Sequence, residues 1–306
     1  MKIKIATTWI DKELARFRAK RELEILRAYK ATLKVVRADL AEVYAKYSKG
    51  DKLTLADMSR ARRLNNLEEQ ITNQVGLLHT NAQVLIEDMS GSVYQQSFYK
   101  TIYAVERGVK TEISFGMLDS RAVEAMVQAP INGLKLSQRL TARRDQVLAE
   151  IRSELTQGLI LGEGYGPMAA RIKDILDGDA TKAITTARTE GHRVQSEGIL
   201  EAGEAAQEAG LIMEKVWDAT LDGKTRPQSQ EMDGQTVAMD EDFTFPDGTT
   251  AAGPGLSGVE EYDINDRCVP RFQVAGYEPK FRREQDGGII PYATYKEWAA
   301  DKGIDI

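Results

Sequence analysis

Leu26, Tyr29, Leu33, Val36, Leu40, Val43 and Tyr47 recur at alternating spacings of three and four residues, with no glycine or proline between them. Residues three and four apart share one face of a helix, so this row is an apolar seam that needs a partner. The spacing predicts a single helix over residues 8–49, a rod of roughly 60 Å at about 1.5 Å per residue. Ser48-Lys49-Gly50-Asp51 ends it. Thr54, followed three residues later by Asp57, has the form of a capping box that opens the next helix. Leu64, Leu67, Ile71, Val75, Leu78, Ala82 and Leu85 give that helix a seam of its own. An antiparallel hairpin, each seam covering the other, is the simplest arrangement.

The helical period continues far down the chain. Tyr94, Phe98, Tyr99, Ile102 and Tyr103 lie on helical spacing and read as core rather than as a ligand site; Gly108 and the run 111–116 close that helix. A short helix over 121–128 is ended by Pro130. Residues 137–161 form the next, with Leu140, Leu148, Ile151, Leu155 and Leu159 on its apolar side. Gly162-Glu163-Gly164-Tyr165-Gly166 ends it, and Pro167 suits the first position of another helix. These glycines lack the Lys-Ser/Thr of a phosphate loop and lie between helices, so they read as a linker. A further helix spans 181–208. It holds Gly191, Gly198 and Gly203, each costing roughly 1 kcal/mol relative to Ala, which close approach by a neighbouring element would explain. Gly210 stops it.

There the period changes. Val216-Trp217 with Ala219-Thr220 suits a strand, 221–224 a tight turn, and 235–239 a second strand. Most of the Gly, Pro and Asp turn chemistry, and the only cysteine, Cys268, fall in or near 215–268. One cysteine excludes an internal disulfide framework and fits a reducing cytoplasm. No apolar run approaches the roughly 20 residues that span a bilayer. The first residues carry charges where a signal peptide needs an apolar core, so a soluble chain, with no membrane partner and not exported by the usual route, is expected. The net charge of −6 is uneven: residues 1–110 hold 20 Lys+Arg against 13 Asp+Glu, the remainder 21 against 34. A basic front on an acidic body points to different partners for the two halves.

Catalytic chemistry has little to start from. The two histidines, His79 and His192, lie on predicted helices and read as packing residues, and no nucleophile with a tuning partner stands out. Arg60-Ala61-Arg62-Arg63 and residues 139–144 are basic clusters that leave weak, salt-sensitive phosphate contact open, but no nucleic-acid-binding module occurs.

Trp217, Ala219, Thr220, Asp222, Thr225 and Arg226, then Met232, Asp233 and Gly234, then Pro254, Gly255, Asn265, Arg267 and Cys268 resemble, in order and spacing, the C-terminal pattern of the phage Mu F-like head-morphogenesis proteins, also called minor head or minor capsid proteins. Arg188-Thr189-Glu190 resembles the family's Arg-Thr-Glu. Pro130-Ile131-Asn132-Gly133 and residues 136–140 resemble the opening of its conserved part, and the Tyr295–Trp298 region its last helix. Two positions depart from the pattern: Ser229 stands where a His is common, and Asp266 where the first of two cysteines stands.

The resemblance implies a mainly α fold with a small α+β C-terminal domain. A basic, elongated helical hairpin or bundle over 1–129 would precede a head-morphogenesis domain over 130–275, with short strands in 211–275, and a tail over 276–306 with a short helix. It implies a structural minor head protein of a tailed bacteriophage or prophage, acting in procapsid assembly. The expected partner is the portal, bound by the helical front, with major capsid or scaffold protein and packaged DNA as further partners. The expected location is the virion, in the capsid interior or at the portal vertex, and the host cytoplasm during assembly. Family members with the His and both Cys carry the residue types of a zinc site; one thiolate and one carboxylate do not close such a site, so neither metal nor cofactor is expected. Arg188, Glu190, Trp217, Asp222, Thr225, Arg226, Asp233, Gly234, Asn265, Arg267 and Cys268 are expected to be structural, tying turns together. The family's C-terminal region is also grouped with ADP-ribosyltransferases. Such enzymes share an Arg, a Ser-Thr-Ser strand and a late Glu-x-Glu or Gln-x-Glu. This chain has no Ser-Thr-Ser, its Gln195-Ser196-Glu197 falls on a helix, and 38 residues after Cys268 leave no room for a toxin domain. The expectation is no enzyme.

Overall fold

The computed structural model describes residues 7–109, 112–131, 133–274, 281–283 and 289–291, with Thr294, Glu297 and Ala300. The fold is mainly helical, with a few short antiparallel strands toward the C-terminus. It divides into two compact units, one from Lys20–Glu87 and Gly133–Ala187, the other from Met1–Ala19, Asp88–Asn132 and Arg188–Ile306. Neither is a consecutive block of sequence such as 1–129 or 130–275. The reason lies in the helices: α1 (Thr8–Tyr47), α3 (Arg63–Val109) and α6 (Tyr165–Glu208) are each long enough to lend one end to each unit.

The helical unit is built on four helices rather than a hairpin. Val36, Leu40 and Tyr44 of α1, Leu67, Ile71 and Val75 of α3, Ile151 and Leu155 of α5 (Leu136–Leu161) and Ile172 and Leu176 of α6 share one core. Four apolar rows around a common axis remove more surface from water than two rows in a pair. The turn after α1 closes with a bridge between Lys49 and Lys52, and Gly50 and Asp51 both take positive φ. The capping box forms as its residues require: the Asp57 amide donates to the Thr54 hydroxyl at 3.3 Å, and the Thr54 amide to Asp57 Oδ2 at 3.3 Å, starting α2 (Leu55–Ser59). Gly162, at φ 63°, caps α5.

α6 is one continuous helix, so the expected second start at 181 does not occur. Pro167 is its third residue, where the amide has no partner inside the helix in any case, and Gly178 is not followed by a break.

A buried polar hub lies inside this unit. Asp179, fully buried, accepts from the Tyr29 hydroxyl at 2.8 Å and Arg143 Nε at 2.8 Å, and lies 2.9 Å from His79 Nε2. His79 is therefore a core residue with a carboxylate partner.

In the second unit, α6 is buried on every side from Thr189 to Ser196. A Cβ on Gly198 would come 2.5 Å from the Tyr94 carbonyl oxygen, and one on Gly203 2.4 Å from Phe272 Cζ. These contacts are the close approach that the two glycines lead one to expect. Gly210, at φ 94°, follows α6. A three-stranded antiparallel sheet, order β2-β1-β5, follows, from β1 (Met213–Asp218), β2 (Thr236–Ala238) and β5 (Val269–Val274), with Trp217 opposite Pro270. A hairpin of β3 (Phe243–Thr244) and β4 (Thr250–Ala251) carries Phe243, which meets the Trp217 ring edge-on at 5.3 Å, as Phe245 does. The short helices α4 (Ser120–Val127), α7 (Pro227–Met232) and α8 (Glu260–Asp263) complete it. The strands β6 (Phe281–Arg283) and β7 (Ile289–Pro291) pair beyond residue 275, where only a tail was expected. The last helix, expected from about Pro291, falls mostly outside the described residues.

Candidate functional site

The motif residues converge on the turns that leave β1 and enter β5. Trp217, 2% exposed, fixes the strand in an aromatic and sulfur core with Met232, Phe243 and Cys268. Its amide donates to the Gln235 carbonyl and its carbonyl accepts from Gly234, both at 2.9 Å; Gly234 takes φ 79°, which favours glycine. The Asp233 carboxylate accepts from the Ala219 amide at 2.8 Å and so locks the end of β1 to the end of α7.

Asp222 organises its own turn through the Lys224 amide at 2.9 Å and the Thr225 hydroxyl at 3.2 Å. Arg267 closes on it with both terminal nitrogens, Nη2 at 2.8 Å. That bidentate pair holds the Asp222 carboxyl below its ordinary range. Arg226 spreads across the end of α8, donating to the carbonyls of Glu261, Tyr262 and Ile264. A cation there satisfies carbonyls the helix leaves open. Asn265 adopts φ 55°, and its amide donates to the Thr189 hydroxyl at 3.3 Å. Arg226→Ala and Asp233→Ala each strand these groups, so each is expected to lower stability by about 1–3 kcal/mol. Thermal melting tests this, and wild-type midpoints for both variants would contradict it.

The Arg188 side chain is exposed on α6, whereas Glu190 is buried and meets Arg193 at 3.2 Å; Arg193 reaches the Met126 carbonyl at 2.9 Å.

The centre is the departure Asp266, which sequence reasoning treated only as a missing ligand. Only 7% exposed, it accepts through Oδ1 from the Arg267 amide at 2.8 Å and the Cys268 amide at 3.3 Å, and Arg226 lies 3.4 Å away. Its other oxygen faces His192 Nε2 at 3.3 Å, across from the Pro254-Gly255 turn, where a Cβ on Gly255 would sit 2.8 Å from the His192 ring. Burial raises the Asp266 carboxyl, but His192, the Cys268 contact and Arg226 outweigh it and hold the group below its ordinary range. His192 thus belongs to the knot; its place three residues after Thr189 was the available signal. A second link also escaped the sequence: Arg271 on β5 pairs with Asp218 at 2.9 Å and Asp11 at 2.5 Å.

Ser229, Asp266 and Cys268 do come together, so the family's ligand positions share one place here, but the donors present do not suit zinc. Burial, then the Asp266 carboxylate, push the Cys268 thiol well above its ordinary range against the pull of Ser229 and Trp217, whereas a zinc ligand must be a thiolate. The Asp266 Oδ1 already accepts from the Arg267 and Cys268 amides and lies 3.4 Å from Arg226. Among the described residues no group of three or more His, Cys, Asp or Glu is arranged to hold a metal. Purified protein is expected to carry no stoichiometric zinc, and chelator to leave its melting unchanged; about one equivalent of tightly held zinc contradicts this.

Residues 149–269, which span this knot, match the family model for Phage Mu protein F like protein. The chain is 30% identical over 297 residues to the minor head protein GP7 of Bacillus phage SPP1, covering 96% of each chain. It is also 30% identical over 253 residues to the NAD(+)–arginine ADP-ribosyltransferase EFV of Enterococcus faecalis (strain ATCC 700802 / V583), covering 82% of this chain but only 52% of that protein. This chain therefore spans about half of that second relative. No solved structure matches. With the motif residues gathered in one knot and the match to a minor head protein running nearly end to end, the chain belongs to the phage Mu F-like family of minor head proteins.

Proposed function

We propose that this chain is a structural component of the phage head that acts in procapsid assembly beside the portal, in the capsid interior or at the portal vertex, and performs no catalysis. The observation that carries this reading is the likeness to minor head protein GP7 over 96% of both chains. The chemistry of the knot agrees with it: the thiol is buried and held protonated, and the arginines are spent on carbonyls and carboxylates.

The helical front supplies the portal contact. Its seam is buried, so the contact uses an outer face. Between Gln70 and Ile86, α3 carries no Asp, Glu, Lys or Arg in a chain that is 29% charged, yet Leu77 and Val84 are 61% and 49% exposed on that stretch. An uncharged, partly apolar outer face is the composition of a protein interface core. Contact with DNA is the weaker reading. In the two basic clusters Arg143 is held by Asp179, Arg144 by Asp145, and Arg63 stacks on Tyr47 at 3.9 Å.

Full-length chain is expected to co-purify with the portal of the phage that encodes it, and Leu77→Glu with Val84→Glu to abolish this while leaving the melting midpoint unchanged. Undiminished capture by the double variant contradicts the assignment of the face. NAD-dependent labelling of protein by the purified chain contradicts the structural reading.

A further inference from the structure

The outer face of α1 in the helical unit carries a row of exposed cations. Lys20, Arg27, Lys30, Lys34 and Arg37 are all exposed, at spacings of seven, three, four and three that keep them on one side of the helix over about 25 Å. None forms a salt bridge among the described residues, whereas the neighbouring Arg21 pairs with Glu24 at 2.7 Å. Leu23, 53% exposed, stands among them between Lys20 and Arg27.

The other unit carries the opposite surface. At the end of α6 and the turn after β2, Glu204, Glu208, Asp240, Glu241 and Asp242 are all exposed, and none forms a salt bridge among the described residues. Three of them, Asp242, Glu204 and Asp240, act together on the buried Lys215, which places them on one patch. Asp240 of this patch also lines a shallow groove of about 290 Å³, together with Gln207, Leu211, Ile212, Met213 and Met239, and Ile212 is 75% exposed there. The exposed Ile212 beside acidic side chains fits an apolar side chain flanked by cations. The Lys20, Leu23, Arg27 face of α1 is such a group.

We propose that the cationic face of α1 in one copy of this chain docks on the acidic patch and groove of a second copy, with Leu23 against Ile212 and the lysines and arginines against Glu204, Asp240 and Asp242. The occupant is a second copy because the chain itself carries both complementary surfaces, and because the exposed leucine within the row suits a protein groove better than a phosphate backbone. The two surfaces differ, so the contact is head-to-tail: each copy keeps one free donor and one free acceptor face, and association continues until a ring closes. Exposed charges drive the contact, so it weakens as salt shortens their reach.

The test uses the purified full chain alone, without portal, so its outcome is separate from that of the portal assay. Sedimentation velocity is expected to show species larger than a monomer at about 10 mM ionic strength, where charges act over about 30 Å, and monomer at about 1 M, where the range is about 3 Å. Arg27→Glu with Lys30→Glu and Lys34→Glu is expected to be monomeric at low salt, as is Glu204→Lys with Asp240→Lys and Asp242→Lys. All six positions are exposed, and a melting curve checks that each variant folds. Mixing the two variants restores association, since each reversed face then meets its opposite. Wild-type chain that stays monomeric at low salt overturns the proposal, as does a mixture of folded variants that stays apart. Loss of binding to a short DNA duplex on reversing the α1 face, with wild type monomeric throughout, would assign that face to nucleic acid instead.

Discussion

Asp179→Ala is expected to be among the most damaging single substitutions in the helical unit, at about 3–5 kcal/mol, because it removes one partner of a buried charge network and leaves the others uncompensated. The carboxylate is fully buried and is the shared acceptor for Tyr29, His79 and Arg143, at 2.8, 2.9 and 2.8 Å. Burial raises its carboxyl, but His79, Tyr29 and Arg143 together bring it below the ordinary 3.8. Tyr29 is driven the other way, by burial and then by the Asp179 charge, so it stays a protonated donor. A carboxyl depressed in the folded state contributes stability that is complete above its unfolded value and is lost as pH falls through the folded one. The wild type therefore loses this contribution only below about pH 4, and Asp179→Asn, which lacks the charge, loses part of it at neutral pH while its stability falls less on acidification. Thermal melting of both variants from neutral to acid pH checks the direction. An Asp179→Ala midpoint equal to wild type contradicts it.

Asp266→Ala is expected to cost about 3 kcal/mol or more in the second unit, by the same reasoning. It strands His192, takes one contact from Arg226 and leaves the Arg267 and Cys268 amides without their acceptor. His192→Ala alone is expected to cost less, since the two amides keep their carboxylate. The pair should be coupled, with the double variant less destabilised than the two singles added. Asp266 is depressed, so acidification below its ordinary 3.8 weakens the wild type and changes the Asp266→Ala variant less. Additive effects, or an Asp266→Ala melt like wild type, would show that the knot is held by something other than this carboxylate.

The helices were legible because their signals are local. The seam from Leu26 to Tyr47 and the Gly162 stop each act within a few residues, and α1 and α5 follow them. The Thr54 and Asp57 box, by contrast, opens only the five-residue α2, and the Leu64–Leu85 seam belongs to α3, which starts anew at Arg63 after Arg62 takes φ 56°. The glycines of α6 could be read as close approaches without naming what approaches, because Tyr94 and Phe272 lie far away in sequence. The same distance hid the hub, where Tyr29, His79, Arg143 and Asp179 come from four helices. A hairpin and a bundle both stayed open because a seam states that it needs cover, not how many helices supply it. α7 was missed because Thr225-Arg226-Pro227 reads as a turn, although Pro227 is well suited to open a helix. In the knot the residue types were legible and their partners were not. Asp222 and Arg267 pair as charges would suggest, but Arg226 spends its guanidinium mainly on carbonyls, which no sequence pattern displays.

The central claim is that this chain is built into the phage head as a structural protein. Mass spectrometry of purified procapsids, with and without a disruption of its gene, tests it most directly. The account predicts that the chain is present in wild-type procapsids in constant proportion to the portal and that its loss impairs head assembly. Procapsids that form normally and never contain it would contradict the account.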